Sequence, residues 1–154
     1  MKTDNYRVRR ASLADARPLV ALFDAYRVFY DQESDPVAAE RFLDARLMND
    51  ESVIFVAENP AGELLGFTQL YPLFTSVGMQ RLWLLNDLYV AENARRAGVA
   101  SALLDAAQAF GRDDGAKGLL LETHHTNSPA RALYERQGWV LNEATVYYEF
   151  DCRK

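Results

Sequence analysis

Cysteine is nearly absent from this sequence: Cys152 is the only one in 154 residues. A single thiol makes no disulfide within the chain and no zinc cluster, which points to a reducing compartment. The two histidines, His124 and His125, are adjacent and lack further ligands at metal spacing, so no metal site is expected. Basic charge is in deficit, with 17 Lys+Arg against 22 Asp+Glu and a net charge of -5. That balance argues against a nucleic-acid partner. No hydrophobic run approaches a membrane span and MKTDNYRVRR has no apolar signal core, so a cytoplasmic chain without a membrane partner is expected. Repeats, low-complexity tracts and Pro/Gly-rich linkers are missing too, which predicts one domain over residues 1–154. Neither GK[ST] nor GxGxxG occurs in place, excluding a P-loop and a dinucleotide fingerprint.

What is present is a core: 49% of residues are hydrophobic and 25% charged, the balance of a globular domain. YRVRR (6–10) alternates as a strand, and Ser12 with Asp15 forms an N-cap pattern before a helix to about Tyr30. Ala16, Leu19, Val20, Phe23, Tyr26 and Tyr30 fall on one stripe of that helix. Asp35 and Pro36 then open a second helix with Ala39, Phe42, Leu43 and Leu47 inward. SVIFVAE (52–58), turn NPAG and ELLGFTQLYPLF (63–74) read as a hairpin, followed by a strand RLWLLNDLYV (81–90) covered on both faces. A helix carrying Val99, Leu103, Leu104, Ala107 and Phe110 leads to a buried strand GLLLET (118–123). Ser128 as N-cap, Pro129 and Gly138 bound a short helix, and ATVYYEF (144–150) reads as a closing aromatic strand. The order β-α-α-β-β-β-α-β-α-β predicts an α/β (α+β) fold with a mixed, mostly antiparallel central sheet flanked by helices.

ARRAGVASALL (94–104) stands out from this frame. It places Arg95, Arg96 and Gly98 where a helix begins, and the first turn of a helix has N–H donors without intrahelical partners. Such a start accepts an anion, and guanidinium groups match phosphate geometry. A solvated basic turn before a core helix would leave the same pattern in the sequence.

NDLYVAENARRAGVASALLDAA resembles the acetyl-CoA-binding core of the GNAT N-acetyltransferase superfamily, whose [QR]-x-x-G-x-[GA] loop is met by Arg95, Gly98 and Ala100. A second signature resembles the family in Asn127, Ala130, Leu133 and Tyr134 of NSPARALYERQGW. The variant LYPLFTS…LWLLNDLYV is similar to the small-amine and polyamine branch. The resemblance implies a GNAT-like acyl-CoA N-acyltransferase fold and acetyl-CoA as co-substrate. It further implies that the N–H groups of Arg96, Ala97, Gly98, Val99, Ala100 and Ser101 bind the pyrophosphate with Arg95 beside them. Leu88, Tyr89 and Val90 would meet the pantetheine arm, an N–H there polarising the thioester as an oxyanion-hole donor does. Asn127, Ala130 and Tyr134 would complete the coenzyme site. Tyr134 would be the general acid, since a phenol stays protonated at neutral pH and can protonate the departing thiolate.

For the acceptor, the resemblance points to the first helix, its following loop and the 71–80 region. These carry Asp24, Tyr26, Tyr30, Asp31, Glu33 and Asp35 with Tyr71 and Phe74, carboxylates among aromatics that suit a small cationic amine. A solvated acidic loop has the same composition. Of this region Tyr26, Tyr30, Asp31, Glu33 and Tyr71, together with Asp87, are the expected acceptor contacts. Several relatives have an acidic residue where Asn86 stands, and the base stays open among Asp87, Glu122 and His124. Cys152 has no histidine partner in sequence reach, so direct attack by the amine is expected rather than an acyl-enzyme. A protein, peptide or aminoglycoside acceptor and a non-catalytic acyl-CoA sensor are the competing readings. A homodimer is expected because a strand over 145–150 would leave a long edge to cover.

Overall fold

The computed structural model describes residues 5–154, which divide into two compact units meeting at Glu122 and Thr123. The first holds a five-stranded sheet in the order β1-β2-β3-β4-β5, from β1 (Arg7–Arg10), β2 (Val53–Glu58), β3 (Leu64–Thr75), β4 (Gln80–Val90) and β5 (Gly118–Leu120). All neighbours are antiparallel except β4 and β5, which are parallel. The one parallel pair is joined by α3 (Val99–Asp113), because parallel strands need a crossover where antiparallel ones need only a turn.

Local chemistry explains the elements. Between β2 and β3, Asn59 Oδ1 accepts from the N–H groups of Ala61 (3.0 Å) and Glu63 (2.9 Å), tying the turn. Helix α1 (Ala16–Phe29) follows a short 3-10 turn in which Asp15 accepts from the Ser12 N–H at 2.8 Å. Arg9 grips the other side of Asp15 and also Glu58, so both carboxyls are held below their usual range, Glu58 at about 2. Helix α2 (Pro36–Met48) is capped by Asp35, whose side chain accepts from the Ala38 N–H at 3.0 Å.

Leu19, Phe23 and Leu43 pack with Ile54, Val56 and Phe67 into the main core, with Val20 and Tyr26 partly buried beside it. Tyr30, at the end of the expected stripe, is exposed. Ala57, Val99 and Leu103 form a second cluster under α3. There α3 lies so close to the sheet that a Cβ on Gly66 would meet the Tyr89 carbonyl at 2.8 Å and Val99 at 3.2 Å. Gly66 thereby seats the first turn of α3 against the ends of β3 and β4.

Three expectations about strands are corrected. The strand read over 118–123 is shorter and less buried: β5 ends at Leu120, which is 47% exposed. As the edge strand of the sheet it has a neighbour on one side only. Residues 144–150 form no strand; Val146, Tyr147, Tyr148 and Phe150 are exposed, and the sheet order ends at β5. An alternating aromatic run has strand propensity, but a strand needs a ladder partner, and the edge that prompted the dimer expectation is not formed. β4 is also not covered alike on both faces: Trp83, Leu85 and Asp87 are buried while Asn86 is exposed.

The second unit, Thr123–Lys154, contains α4 (Ser128–Arg136). Its cap is Asn127, not Ser128: Asn127 Oδ1 accepts from the Ala130 N–H at 3.3 Å. With the helix beginning at Ser128, Asn127 is the last non-helical residue and holds the capping position. Gly138 ends the helix at φ +88°, with its N–H donating to Glu135 O (3.1 Å) and the Trp139 N–H to Tyr134 O (3.0 Å). This pair of bonds is a Schellman stop, which the glycine permits.

Candidate active site

The end of β4 is open on one side. β5 pairs with Leu82, Trp83 and Leu84 and stops, and among the described residues no strand continues the ladder beside Leu88, Tyr89 and Val90. Backbone polar groups on that edge are therefore available to a ligand. The chain then passes a short 3-10 turn, Glu92–Ala94, into the loop that precedes α3.

That loop has the form of an anion cradle. Among the described residues, the N–H groups of Arg96, Ala97, Gly98, Val99, Ala100 and Ser101 donate to no backbone carbonyl, and the first helical bond is Ala102 N–H to Gly98 O at 3.0 Å. Two left-handed residues, Arg96 at φ +64° and Gly98 at φ +76°, turn the backbone here. Concave runs of N–H groups made in this way bind anions, and the start of α3 adds its dipole. A Cβ at Gly98 would find only the Tyr6 hydroxyl within 4 Å, at 3.5 Å, and the left-handed backbone there favours glycine by itself.

Arg95 lies along the end of β4. Its Nε donates to Val90 O at 3.2 Å and its guanidinium lies 5.7 Å from the Tyr89 ring centroid. The side chain thus clamps the loop to the end of β4, while exposed Arg96 remains as the loop's peripheral charge. Tyr6, which the sequence reading passed over, supports the same loop by donating to Ala97 O at 3.2 Å.

A second cluster surrounds Asp87. The β3–β4 register slips so that Gln69 faces Asp87 but Leu70 faces Leu85, leaving Asn86 as an extra residue in β4. A bulge re-aims side chains, and here Asn86 is exposed while Asp87 is only 3% exposed. One Asp87 oxygen takes a short hydrogen bond from the buried Gln69 amide, and the other accepts from Asn86 Nδ2 at 2.8 Å. Tyr26 donates its hydroxyl to Asn86 O at 3.3 Å and also faces the carboxylate. Burial raises the pKa of Asp87 above the ordinary aspartate range, against the pull of these hydrogen bonds. Burial first, then the charge of Asp87, pushes the Tyr26 and Tyr71 phenols well above their ordinary value, so both remain neutral.

Of the expected acceptor contacts, Tyr26, Tyr71 and Asp87 come together, and Tyr30 stands edge-on to Tyr26 at 5.1 Å. Asp31 and Glu33 sit exposed on the following loop. Two other acidic residues serve the fold: Asp24 accepts from Ser34 Oγ (2.6 Å) and the Asp35 N–H (2.8 Å), while Asp35 caps α2. Phe74 is exposed, with the Arg81 guanidinium over its ring. The sequence reading missed Gln69. Its signal was an amide inside an otherwise apolar strand, which stays buried only if it finds a partner.

In the second unit, Tyr134 lies on α4 with its ring 6.1 Å from that of Trp139. His124 Nδ1 meets Thr126 Oγ1 at 2.6 Å, and both it and His125 are exposed. Among the described residues no three His, Cys, Asp or Glu side chains gather as a metal site, and no helix is long and apolar enough to cross a membrane.

Comparison with known proteins gives the family. Residues 19–139 match the model of the Acetyltransferase (GNAT) family. The chain is 49% identical over 141 residues to the Uncharacterized N-acetyltransferase YhfO of Bacillus subtilis, covering 92% of this chain and 94% of that protein. It is 32% identical over 111 residues to an Aminoglycoside N(6')-acetyltransferase type 1 of Klebsiella aerogenes, covering 71% and 72%. The crystal structure of a probable acetyltransferase superposes with a TM-score of 0.90 at 39% identity, covering 94% of this chain and 97% of the other. With an open strand end leading into a loop of free N–H donors, and with these relatives, the chain belongs to the GNAT family and is an acetyl-CoA-dependent N-acetyltransferase.

Proposed function

We propose that the enzyme transfers the acetyl group of acetyl-CoA to a small cationic primary amine by direct attack. The observation that carries this reading is the buried Asp87 carboxylate beside two neutral phenols, Tyr26 and Tyr71, at the β4 bulge. A buried carboxylate attracts a cation, and aromatic faces add cation–π contact to an ammonium. On this reading Tyr30, Asp31 and Glu33 form the outer approach, where exposed carboxylates enrich cations near the opening.

For the donor, residues 96–101 hold the pyrophosphate and Leu88, Tyr89 and Val90 the pantetheine arm, with Arg95 bracing the loop. Asn127, Ala130 and Tyr134 are further coenzyme contacts on this reading, with residues 1–154 as one N-acetyltransferase domain. Tyr134 is the general acid: as the tetrahedral intermediate collapses, the C–S bond breaks and the phenol protonates the thiolate. Tyr134→Phe is expected to bind acetyl-CoA as the parent does and to lower kcat by about 10²-fold, the usual scale for one acid. Free-thiol release measures kcat and calorimetry the binding; an unchanged kcat with the best amine would remove Tyr134 from the mechanism.

An aminoglycoside is the second acceptor reading, favoured by the Klebsiella aerogenes relative named for that activity. A panel of alkylamines, aminoglycosides and peptides, followed by thiol release, separates these classes. We further place the enzyme in the cytoplasm, consistent with the exposed, unpaired Cys152. A homodimer in which a second copy covers Val146, Tyr147, Tyr148 and Phe150 is checked by light scattering.

A further inference from the structure

We propose that Arg95 and Tyr89 are positioning residues for the acceptor: the arginine holds the Tyr89 ring against Tyr26 and Phe29 of α1 and so fixes the aromatic wall of the amine site. This rests on the amine-acceptor reading above and extends it to the side chains behind that wall. The alternation of β4 sends Leu88 and Val90 to the cluster under α3, and Tyr89 to the main core under α1. Of the three residues expected along the pantetheine arm, Tyr89 therefore turns its side chain to the acceptor helix.

The contacts are continuous. The Tyr89 ring lies 6.2 Å from that of Tyr26, close to edge-on, and 6.5 Å from that of Phe29. Tyr26 and Phe29 are three residues apart on α1 and share one face of the helix. Phe67, opposite Tyr89 in the β3–β4 register, stands edge-on to Tyr26 at 5.8 Å. These separations are those of favourable aromatic pairs. At the loop end, the Arg95 guanidinium lies 5.7 Å from the Tyr89 ring centroid while its Nε donates to Val90 O at 3.2 Å. Tyr89 thus joins the coenzyme loop to α1.

Arginine suits this place because one planar group does two things. The bond from Nε fixes the guanidinium, and its charge is drawn to the ring beside it. The wall that it braces is the exposed end of α1, where Phe29 is 59% and Tyr30 53% exposed. Tyr30 stands edge-on to both Tyr26 and Phe29, at 5.1 and 5.2 Å. Tyr26 itself is held at two points, by its hydroxyl on Asn86 O at 3.3 Å and by its ring on Tyr89. A displaced Tyr89 ring therefore moves Tyr26 and Phe29, and through them Tyr30 at the outer approach. Arg95 precedes the donor run 96–101, so its side chain can be changed without substituting a residue of that run.

The test uses the full chain and n-butylamine at saturating acetyl-CoA, following thiol release, with acetyl-CoA affinity measured separately by calorimetry. Arg95 is exposed, so Arg95→Met retains the fold. It should raise the amine KM about two- to fivefold, the scale of one exposed cation–π contact. Tyr89→Leu, which removes the ring, should raise it about tenfold, and Tyr89→Phe should recover most of that loss. The double variant should match Tyr89→Leu alone, because Arg95 acts through the ring. A role confined to the loop would move the acetyl-CoA Kd and leave the amine KM untouched. A parental amine KM in Arg95→Met, a double variant whose effect is the product of the two singles, or no recovery in Tyr89→Phe overturns the proposal. Absence of transfer to n-butylamine by the parent enzyme counts against the acceptor reading instead. In that case carbon-13 NMR of the Tyr26 ring decides the brace: Arg95→Met must shift its signal in the parent but not in Tyr89→Leu, and any other result overturns the brace.

Discussion

The two ends of the last stretch of β4 handle charge in opposite ways. At the bulge, Asp87 is buried, doubly clamped by amides and adjacent to phenols held neutral. A few residues later the loop at Arg96–Ser101 presents N–H groups with no backbone acceptor, on an exposed turn. One site keeps its own charge and surrounds it; the other keeps its donors empty for the charge of a ligand. The difference teaches that a buried charge has to be given its own partners by the fold, while donors left on a solvent-facing turn can stay without one.

If the two sites are separate in this sense, changes at the loop should alter coenzyme affinity and leave the KM of the acceptor amine in place. The largest effect is expected for Gly98→Val, which forces a β-branched residue to φ +76°. A left-handed conformation costs about 1–2 kcal/mol, or roughly tenfold in the Kd of acetyl-CoA, measured by calorimetry. Tyr6→Phe comes next. Losing the hydroxyl that supports Ala97 O should weaken acetyl-CoA by about fivefold, the scale of a hydrogen bond worth about 1 kcal/mol. The smallest effect is electrostatic: raising salt from about 0.05 to 0.5 M should weaken coenzyme binding a few-fold and less so in Arg96→Ala, because exposed charge is screened. An acceptor KM that shifts with Gly98→Val breaks the comparison.

Much of this was legible beforehand. The spacing of Val99, Leu103, Leu104 and Ala107 marks the inward face of α3, and Asp35 before Pro36 marks the start of α2. ARRAGVAS announces donors at a helix start because the unpaired first turn is a property of any helix. Reading β4 as simply apolar overlooked its bulge, since an extra residue opposite Gln69 is visible only once the register with β3 is known. The aromatic run 144–150 shows the same limit from the other side: its composition suits a strand, but no strand forms there.

The sequence by itself determined the family, the starts of α2 and α3 and the loop that offers backbone donors. These follow from local backbone chemistry and from residue types at fixed spacing. Only the tertiary structure decided that Arg95 folds back onto Val90 and Tyr89, that Asp24 and Asp35 belong to the scaffold, and that Gln69 reaches Asp87. Those outcomes depend on which side chains meet across the sheet and between helix and loop. Hydrogen-bond partners and burial are properties of the assembled neighbourhood, so a carboxylate that caps, one that braces a loop and one buried between two amides read alike until the chain is folded.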